Sequence, residues 1–176
     1  MISFKKTKIK DLEIIHYNKF KDFRGFFSRL YCAQNFKKRF SKIVQINFSF
    51  SKDKFTLRGL HFQNHPNSED KVVKCIKGKI FDVAVDLRKN SNTYGKWVSV
   101  VLSEKNNKMF LIPKGFAHGF MTLENNCEIM YFVSNYYKKK KESGIRYNDS
   151  FFNIKWPANP KKISKKDLSW KLIKKI

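Results

Sequence analysis

The sequence has few acidic residues, little glycine or proline, and no long apolar run. It carries 14 aspartates and glutamates against 38 lysines and arginines, which gives a formal net charge of +24. With seven glycines and four prolines, it has no flexible linker rich in either residue, so we predict one domain over residues 1–176. No apolar run is long enough for a membrane-spanning helix.

Signals for export and for disulfides are also lacking. The first twenty residues contain no continuous apolar stretch after the positive ones, which excludes a typical signal peptide and predicts a cytoplasmic protein. Three cysteines, Cys32, Cys75 and Cys127, form no CxxC pair, and we interpret them as reduced core residues.

The excess of lysine has two possible explanations. A nucleic-acid-binding protein would use it to neutralise phosphates. Alternatively it is a background property that also attracts a small anionic substrate. The densest runs, Lys138–Lys141 and Lys161–Lys174, do not alternate with aromatic residues as a single-strand-binding surface would. We therefore predict no nucleic-acid partner, a solvated loop at the first run, and a basic C-terminal tail from about residue 165.

Short segments rich in β-branched and aromatic residues predict a nearly all-β chain. The predicted strands are Val44–Phe50, Val72–Ile76, Ile80–Leu87, Trp97–Leu102, Lys108–Ile112 and Glu128–Asn135. Only Cys32–Arg39 and Ser164–Leu172 look helical, the latter with Ser164 as N-cap. Many short strands with few helices are typical of a barrel or a sandwich.

Two details of the strand pattern give sharper predictions. Lys77-Gly78-Lys79 separates two strands and predicts a hairpin turn. Within Ile80–Leu87, alternation puts Phe81, Val83 and Val85 on one face and Asp82, Ala84 and Asp86 on the other.

Two of the four histidines, His61 and His118, follow a glycine by two or three residues, a spacing that suits a tight turn or close backbone approach. A metal site could use His61, His118 and Glu69, but Gln63 stands where a metal-binding HxH pair would need its second histidine. Alternatively, histidine, tyrosine and lysine could perform acid–base chemistry beside a ketone, with the cation near the enolate oxygen. The residues alone do not show which of these side chains converge.

Ordered motifs along nearly the whole chain resemble the dTDP-4-dehydrorhamnose 3,5-epimerase family. The matching segments are Asp22–Phe27, Gln45–Ser49, Leu57–Gln63, Phe81–Arg88, Ser91–Trp97, Ile112–Phe120, Asn148-Asp149, Ile154–Pro157 and Ile163–Asp167. A single RGLH motif would be weak, whereas this ordered set is highly specific.

The resemblance implies a role for each matched residue. The catalytic set that it implies is His61 as base, Asp167 as its carboxylate partner, Tyr131 as acid and Lys71 at the ketone oxygen. The substrate-binding residues that it implies are Arg58, His118, Arg24, Phe20, Phe27, Gln45, Asn47 and Tyr137, with Arg29 at a further nucleotide position.

The resemblance also implies a cupin-type jelly-roll β-barrel with a few short peripheral helices. It implies a homodimer in which the N-terminal part of one chain completes the partner's site. It also implies that the reaction needs neither a metal nor a redox cofactor. The implied reaction inverts C3, C5 or both in a nucleotide-linked 4-keto-6-deoxy hexose.

The sequence departs from the family pattern in two places, at Arg29 and at Glu69-Asp70. Arg29 stands where an acidic residue is common, which leaves a GDP- or CDP-linked sugar as an alternative to dTDP. Glu69-Asp70 replaces the usual Gln-Gly before Lys71, and these carboxylates either alter the local field or face solvent. A metal-dependent cupin and a non-catalytic one are the remaining alternatives.

Overall fold

The fold is described by a computed structural model that covers residues 1–40 and 42–173. The strands are β1 Ile2–Lys6, β2 Glu13–Tyr17, β3 Phe20–Asp22, β4 Gly25–Phe27, β5 Gln45–Ser51, β6 Leu57–Gln63, β7 Lys71–Lys77, β8 Lys79–Asp86, β9 Trp97–Ser103, β10 Lys108–Ile112, β11 Phe116–Thr122, β12 Cys127–Val133 and β13 Glu142–Gly144. The helices are α1 Ala33–Phe36 and α2 Lys165–Ser169, with a 3-10 turn at Lys139–Lys141. Within the described ranges, no helix is long and apolar enough to cross a membrane.

Two antiparallel sheets form the body of the protein. One has six strands in the order β1-β2-β10-β7-β12-β5, the other has five in the order β13-β6-β11-β8-β9, and β3 and β4 form a separate ribbon. The core between the sheets combines Val73 and Ile129 from the larger sheet with Ile80, Leu102 and Phe120 from the smaller one. This packing confirms the predicted nearly all-β architecture.

The outer face of each sheet is also covered in part. Phe36 and Phe40, in and just after α1, pack over the six-stranded sheet. Over the five-stranded sheet, Phe152 and Ile154 pack with Val83 and Val85. Val83 and Val85 thus face a different cluster from Ala84, as the alternation predicts.

The predicted hairpin at Lys77-Gly78-Lys79 is wrong. β7 lies between β10 and β12 in the larger sheet, while β8 lies between β11 and β9 in the smaller one. Because both edges of each strand are already paired, the turn forms a corner that carries the chain from one sheet to the other. Gly78 has φ +77°, and a Cβ there would lie 2.8 Å from Cys127 Sγ.

All six predicted strands are present, with ends within two residues of their predicted positions. The two helices are shorter than predicted, and Ser164 caps α2 by accepting a hydrogen bond from the Asp167 amide. Within the predicted basic tail, α2 packs on β6 and Asp167 is buried. Residues 174–176 lie outside the described part of the chain.

A buried carboxylate fixes the loop after β8. Asp86 accepts hydrogen bonds from Arg88 Nε at 2.9 Å, and from Ser91 Oγ and Thr93 Oγ1 at 2.7 Å each. Burial favours the neutral acid, but these hydrogen bonds outweigh it and lower the Asp86 pKa to about 2.

We expect Asp86→Asn to lower the free energy of unfolding by about 2 kcal/mol at neutral pH. A depressed folded-state pKa stabilises the protein above the unfolded pKa, and this stabilisation is lost as pH falls towards 2. Urea unfolding at neutral pH and at about pH 3 should therefore show a smaller difference between variant and parent at the acidic pH. Asp53→Asn, at an exposed carboxylate, is the control. A uniform loss at both pH values would contradict this account.

Candidate active site

A cavity of about 630 Å³ opens between the sheets, and a smaller one of about 270 Å³ adjoins it. Both are lined by His61, Lys71 and Tyr131, while Arg58, His118 and Asp167 line the larger one. These side chains come from four strands and one helix: β6 carries Arg58 and His61, β7 carries Lys71, β11 carries His118, β12 carries Tyr131, and α2 carries Asp167. The structure therefore brings all four implied catalytic residues into one cavity.

His61 is paired with a carboxylate that lies 106 residues away in sequence. His61 Nε2 lies 2.6 Å from Asp167 Oδ1, and Asp167 Oδ2 accepts a hydrogen bond from the Gly59 amide at 3.1 Å. Burial alone would raise the Asp167 pKa, but the hydrogen bonds from His61 and Gly59 outweigh it and lower that pKa. The carboxylate is thus ionised and orients the imidazole.

Two glycines explain how His61 and His118 come to be neighbours. A Cβ on Gly59, which has φ +115°, would lie 2.6 Å from Gly119 Cα. Without side chains at these positions, β6 and β11 approach closely, and the pairing shifts register between Arg58 and His61. His61 and His118 are directly opposite each other in this pairing.

His118 has a carboxylate partner that the sequence analysis missed. Asp82 Oδ1 lies 2.5 Å from His118 Nε2, and the Asp82 side chain is fully buried. Asp82 Oδ2 has no hydrogen-bond partner among the described residues. An aspartate facing inward from an apolar strand was the available signal, because such a group needs a partner when it is buried.

Lys71 and Tyr131 form the wall contributed by the larger sheet. Tyr131 is paired with Val73 and Lys71 with Val133, so both side chains face the barrel interior, one step apart. Burial raises the Tyr131 pKa, and the negative charge of Glu69 raises it further. The phenol is therefore protonated at neutral pH and can act as an acid.

The two carboxylates before Lys71 do not face solvent. Glu69 Oε1 lies 2.9 Å from Lys71 Nζ, with both side chains about nine-tenths buried. Asp70 is buried and accepts a hydrogen bond from the Lys114 amide at 3.0 Å. Of the two alternatives for this departure, an altered local field is the one that fits.

Three of the substrate-binding residues that the resemblance implies line the smaller cavity. Gln45 and Asn47 face it from β5, joined by a hydrogen bond of 2.7 Å between their side chains. Tyr137 lines the same cavity and donates a hydrogen bond to Glu142 at 2.7 Å. In the larger cavity, Arg58 is oriented by Ser51 Oγ and the Phe50 carbonyl.

The other four lie in or just after the β3–β4 ribbon and line neither of these cavities. They are Phe20, Arg24, Phe27 and Arg29, all of them exposed. Arg24 is paired with Asp22 of its own ribbon at 2.7 Å. Within one chain, the structure does not bring these residues to the catalytic set.

A lysine-rich segment borders the cavity mouth. Lys161, Lys162 and Lys166 line the larger cavity, a position that the run of lysines in the sequence did not predict. Lys166 also forms an ion pair with Glu142. Part of the net charge is thus placed where it would attract an anionic ligand.

The hypothetical metal ligands are already paired with other residues. His61 and His118 each bind an aspartate, and Glu69 binds Lys71. Across residues 1–40 and 42–173, no group of three or more histidine, cysteine or acidic residues has the geometry to hold a metal ion. Gln63 Nε2 instead donates to Glu69 and to the backbone carbonyls of Asn67 and Tyr136.

A double-sheet β-barrel with a histidine–aspartate pair, a lysine and a tyrosine facing one cavity has the features of a cupin-type acid–base enzyme. The model of the dTDP-4-dehydrorhamnose 3,5-epimerase family matches residues 6–175, and the chain belongs to this family. It is 44% identical over 167 residues to the dTDP-4-dehydrorhamnose 3,5-epimerase of Shigella flexneri, covering 93% of this chain and 92% of that one. The enzyme of the same name from Methanothermobacter thermautotrophicus is 42% identical over 173 residues, covering 96% and 92%.

Solved structures give the same fold. The dTDP-6-deoxy-D-glucose-3,5-epimerase of Legionella pneumophila, in complex with dTDP-4-keto-L-rhamnose, superposes with a TM-score of 0.92 at 39% identity, covering 98% of this chain and 93% of that one. The dTDP-4-dehydrorhamnose 3,5-epimerase of Bacillus anthracis, with TDP and pyrophosphate bound, gives 0.94 at 38% identity, covering 98% and 100%. The predicted cupin-type jelly roll is confirmed.

Proposed function

We propose that this protein inverts C3 and C5 of a dTDP-linked 4-keto-6-deoxy hexose by proton abstraction and return. The observation that carries the proposal is the 2.6 Å pair between His61 and Asp167 in a cavity that Lys71 and Tyr131 also line. An inversion beside a ketone needs these three elements: a base, a cation for the enolate oxygen, and a separate acid.

The reaction begins when His61 Nδ1, the ring nitrogen that is not paired with Asp167, removes the proton from a carbon adjacent to the C4 ketone. Asp167, ionised and buried, stabilises the imidazolium that forms. The electron pair of the broken C–H bond moves into an enolate, whose oxygen gains negative charge near Lys71 and Arg58. Tyr131 then donates its proton to the opposite face of the carbon, which completes the inversion.

The same ketone activates both neighbouring carbons, so the step repeats at the second carbon once the imidazolium has released its proton to solvent and the tyrosinate has taken one up. No electrons leave the sugar, so the proposed chemistry is balanced without a redox cofactor. We assign His118, which is held by Asp82 and lies opposite His61 in the strand pairing, a contact with the sugar rather than the removal of the first proton.

The nucleotide we propose is dTDP rather than GDP or CDP. The names of the similar proteins favour it, and the smaller cavity offers the amides of Gln45 and Asn47 for ligand contacts. Lysines at the cavity mouth supply positive charge for a diphosphate.

Incubation with dTDP-, GDP- and CDP-linked 4-keto-6-deoxy sugars in D2O tests the proposal. We expect NMR to show loss of the C3 and C5 proton signals, with an inverted product, for the dTDP sugar. Exchange at one carbon only would restrict the reaction to a single centre. The proposal fails if none of the three sugars exchanges.

We further propose a homodimer, because β5 turns its polar side chains inward and its apolar side chains outward. Gln45, Asn47 and Ser49 face the cavities, whereas Ile46, Phe48 and Phe50 are each at least half exposed on the outer face. A large apolar patch at a sheet edge marks an interaction surface. A second copy of the chain would cover it.

The β3–β4 ribbon supports the same arrangement. Its Phe20, Phe23, Phe26 and Phe27 are all more than half exposed, and Phe23 is 98% exposed. We propose that this ribbon, with Arg24, reaches the partner's nucleotide site, which is why these residues do not line their own cavities.

A charge on this surface should dissociate the dimer. For Phe48→Glu we expect the dimer Kd to rise by roughly 10²-fold or more, because a carboxylate in an apolar interface costs several kcal/mol. Light scattering after gel filtration measures the mass, and epimerase activity should fall as the dimer is lost. Val101→Glu, on an exposed position of the other sheet, is the matched control. A Phe48→Glu protein with unchanged mass at all concentrations would contradict the proposed interface.

We also place the reaction in the cytoplasm. Cys75 and Cys127 are buried free thiols. Reduced cysteines are the rule in that compartment.

A further inference from the structure

Glu69 is a carboxylate inside the site to which the proposed mechanism assigns no role. It lies just before β7, and its side chain is only 10% exposed. One oxygen lies 2.9 Å from Lys71 Nζ, and the other accepts a hydrogen bond from Gln63 Nε2 at 2.8 Å. A carboxylate so deeply placed is retained only when donors of this kind satisfy it.

Gln63 connects this carboxylate to the backbone of two loops. Its Nε2 also donates to the carbonyls of Asn67 and Tyr136, at 3.1 Å each, and its Oε1 accepts from the Lys138 amide at 2.7 Å. Gln63 therefore has one orientation, and it gives Glu69 one orientation. Lys71, otherwise a flexible four-carbon chain, gains a fixed position for its ammonium group.

The charge of Glu69 also acts on the proposed acid. Glu69 and Tyr131 line the same small cavity. In the smaller cavity, the charged or titratable groups around the phenol are Glu69, Glu142, Lys71, His61 and Tyr137. In the larger cavity they are Arg58, His61, Lys71, His118, Lys161, Lys162, Lys166 and Asp167. After burial, Glu69 is the largest influence that raises the Tyr131 pKa, while Arg58 lowers it.

We propose that Glu69 is a positioning residue that fixes the Lys71 ammonium group at the cavity wall and places a carboxylate near the Tyr131 phenol. The inference rests on the proposed function for its catalytic meaning. A fixed Lys71 meets the enolate oxygen without reorganising, and a phenol beside a carboxylate keeps its proton until a carbanion is available.

Two variants separate the effect of the Glu69 charge from the effect of its side-chain length. Glu69→Gln keeps the length and removes the charge, while Glu69→Asp keeps the charge and shortens the side chain. Tyrosinate absorbance, taken as the difference from the same protein carrying Tyr131→Phe, reports the ionisation of Tyr131 alone. We expect Glu69→Gln to lower its midpoint by roughly half to one pH unit, and Glu69→Asp to stay closer to the parent. An unchanged midpoint in Glu69→Gln would overturn the charge role.

Kinetics test the positioning role. We expect Glu69→Asp to lower kcat by roughly 10- to 10²-fold with KM little changed, because a small displacement of Lys71 weakens its contact with the enolate. A parental kcat in Glu69→Asp would overturn this role. Glu124→Gln, which alters the surface ion pair with Lys79, is the control and should change neither readout. The absorbance titration needs no substrate, so failure of the proposed function and failure of the charge role are separately visible.

Discussion

His61→Asn should abolish deuterium incorporation from solvent at both C3 and C5 while nucleotide binding is largely retained. Asparagine can still accept a hydrogen bond but cannot take a proton at neutral pH, so no enolate forms. A general base contributes roughly 10²- to 10⁴-fold to rate, and we expect a loss at the upper end because no second base is paired with Asp167 in the described structure. NMR in D2O measures exchange, and calorimetry with dTDP measures binding.

The control for this change is His16→Asn. His16 lies on β2, which contributes no residue to either cavity, so its loss should leave exchange at the parental rate. Unchanged exchange in His61→Asn would remove His61 from the mechanism. If exchange persisted at one of the two carbons in His61→Asn, a second base would serve that carbon. His118, which has its own carboxylate in Asp82, would then be assigned that role.

Tyr131→Phe should separate exchange from inversion. His61 would still remove the proton and could return a deuteron to the same face, so deuterium should enter the unconverted sugar. Without the phenol, donation from the opposite face should slow by roughly 10²- to 10⁴-fold. NMR follows both processes in one sample, because the inverted product has its own signals.

The matched control is Tyr136→Phe, since the Tyr136 side chain is exposed and only its backbone carbonyl serves the site. Its loss should change neither exchange nor inversion. Formation of inverted product at the parental rate by Tyr131→Phe would show that another group, or water, is the acid.

The strands that sequence predicted best were those with β-branched and aromatic runs. β10 was predicted to the residue, and β7 to within one residue at each end. β6 and β11 were recognised as motifs rather than as strands, because each carries a glycine and polar residues that face a cavity instead of a core. The hairpin at Gly78 failed since a turn signal does not show whether the next strand stays in the same sheet.

The residues of the active site were harder to predict from the sequence than the strands were. Chemistry suggested a histidine, a tyrosine and a lysine, but only the family resemblance joined His61 to Asp167 across 106 residues. The pairing of Asp82 with His118 was not predicted, because the two residues lie on different strands, 36 residues apart in sequence. The role of Glu69 depends on side-chain geometry, which no spacing encodes.

In the proposed mechanism, base and acid stand on opposite faces of the sugar, with Lys71 at the ketone oxygen. A crystal structure of His61→Asn with a dTDP-4-keto-6-deoxy hexose bound tests it directly. We expect residue 61 and the Tyr131 hydroxyl to lie on opposite sides of the ring, with Lys71 Nζ within hydrogen-bonding distance of the C4 oxygen. A sugar bound with both groups on one side, or with Lys71 turned away from that oxygen, would contradict the mechanism.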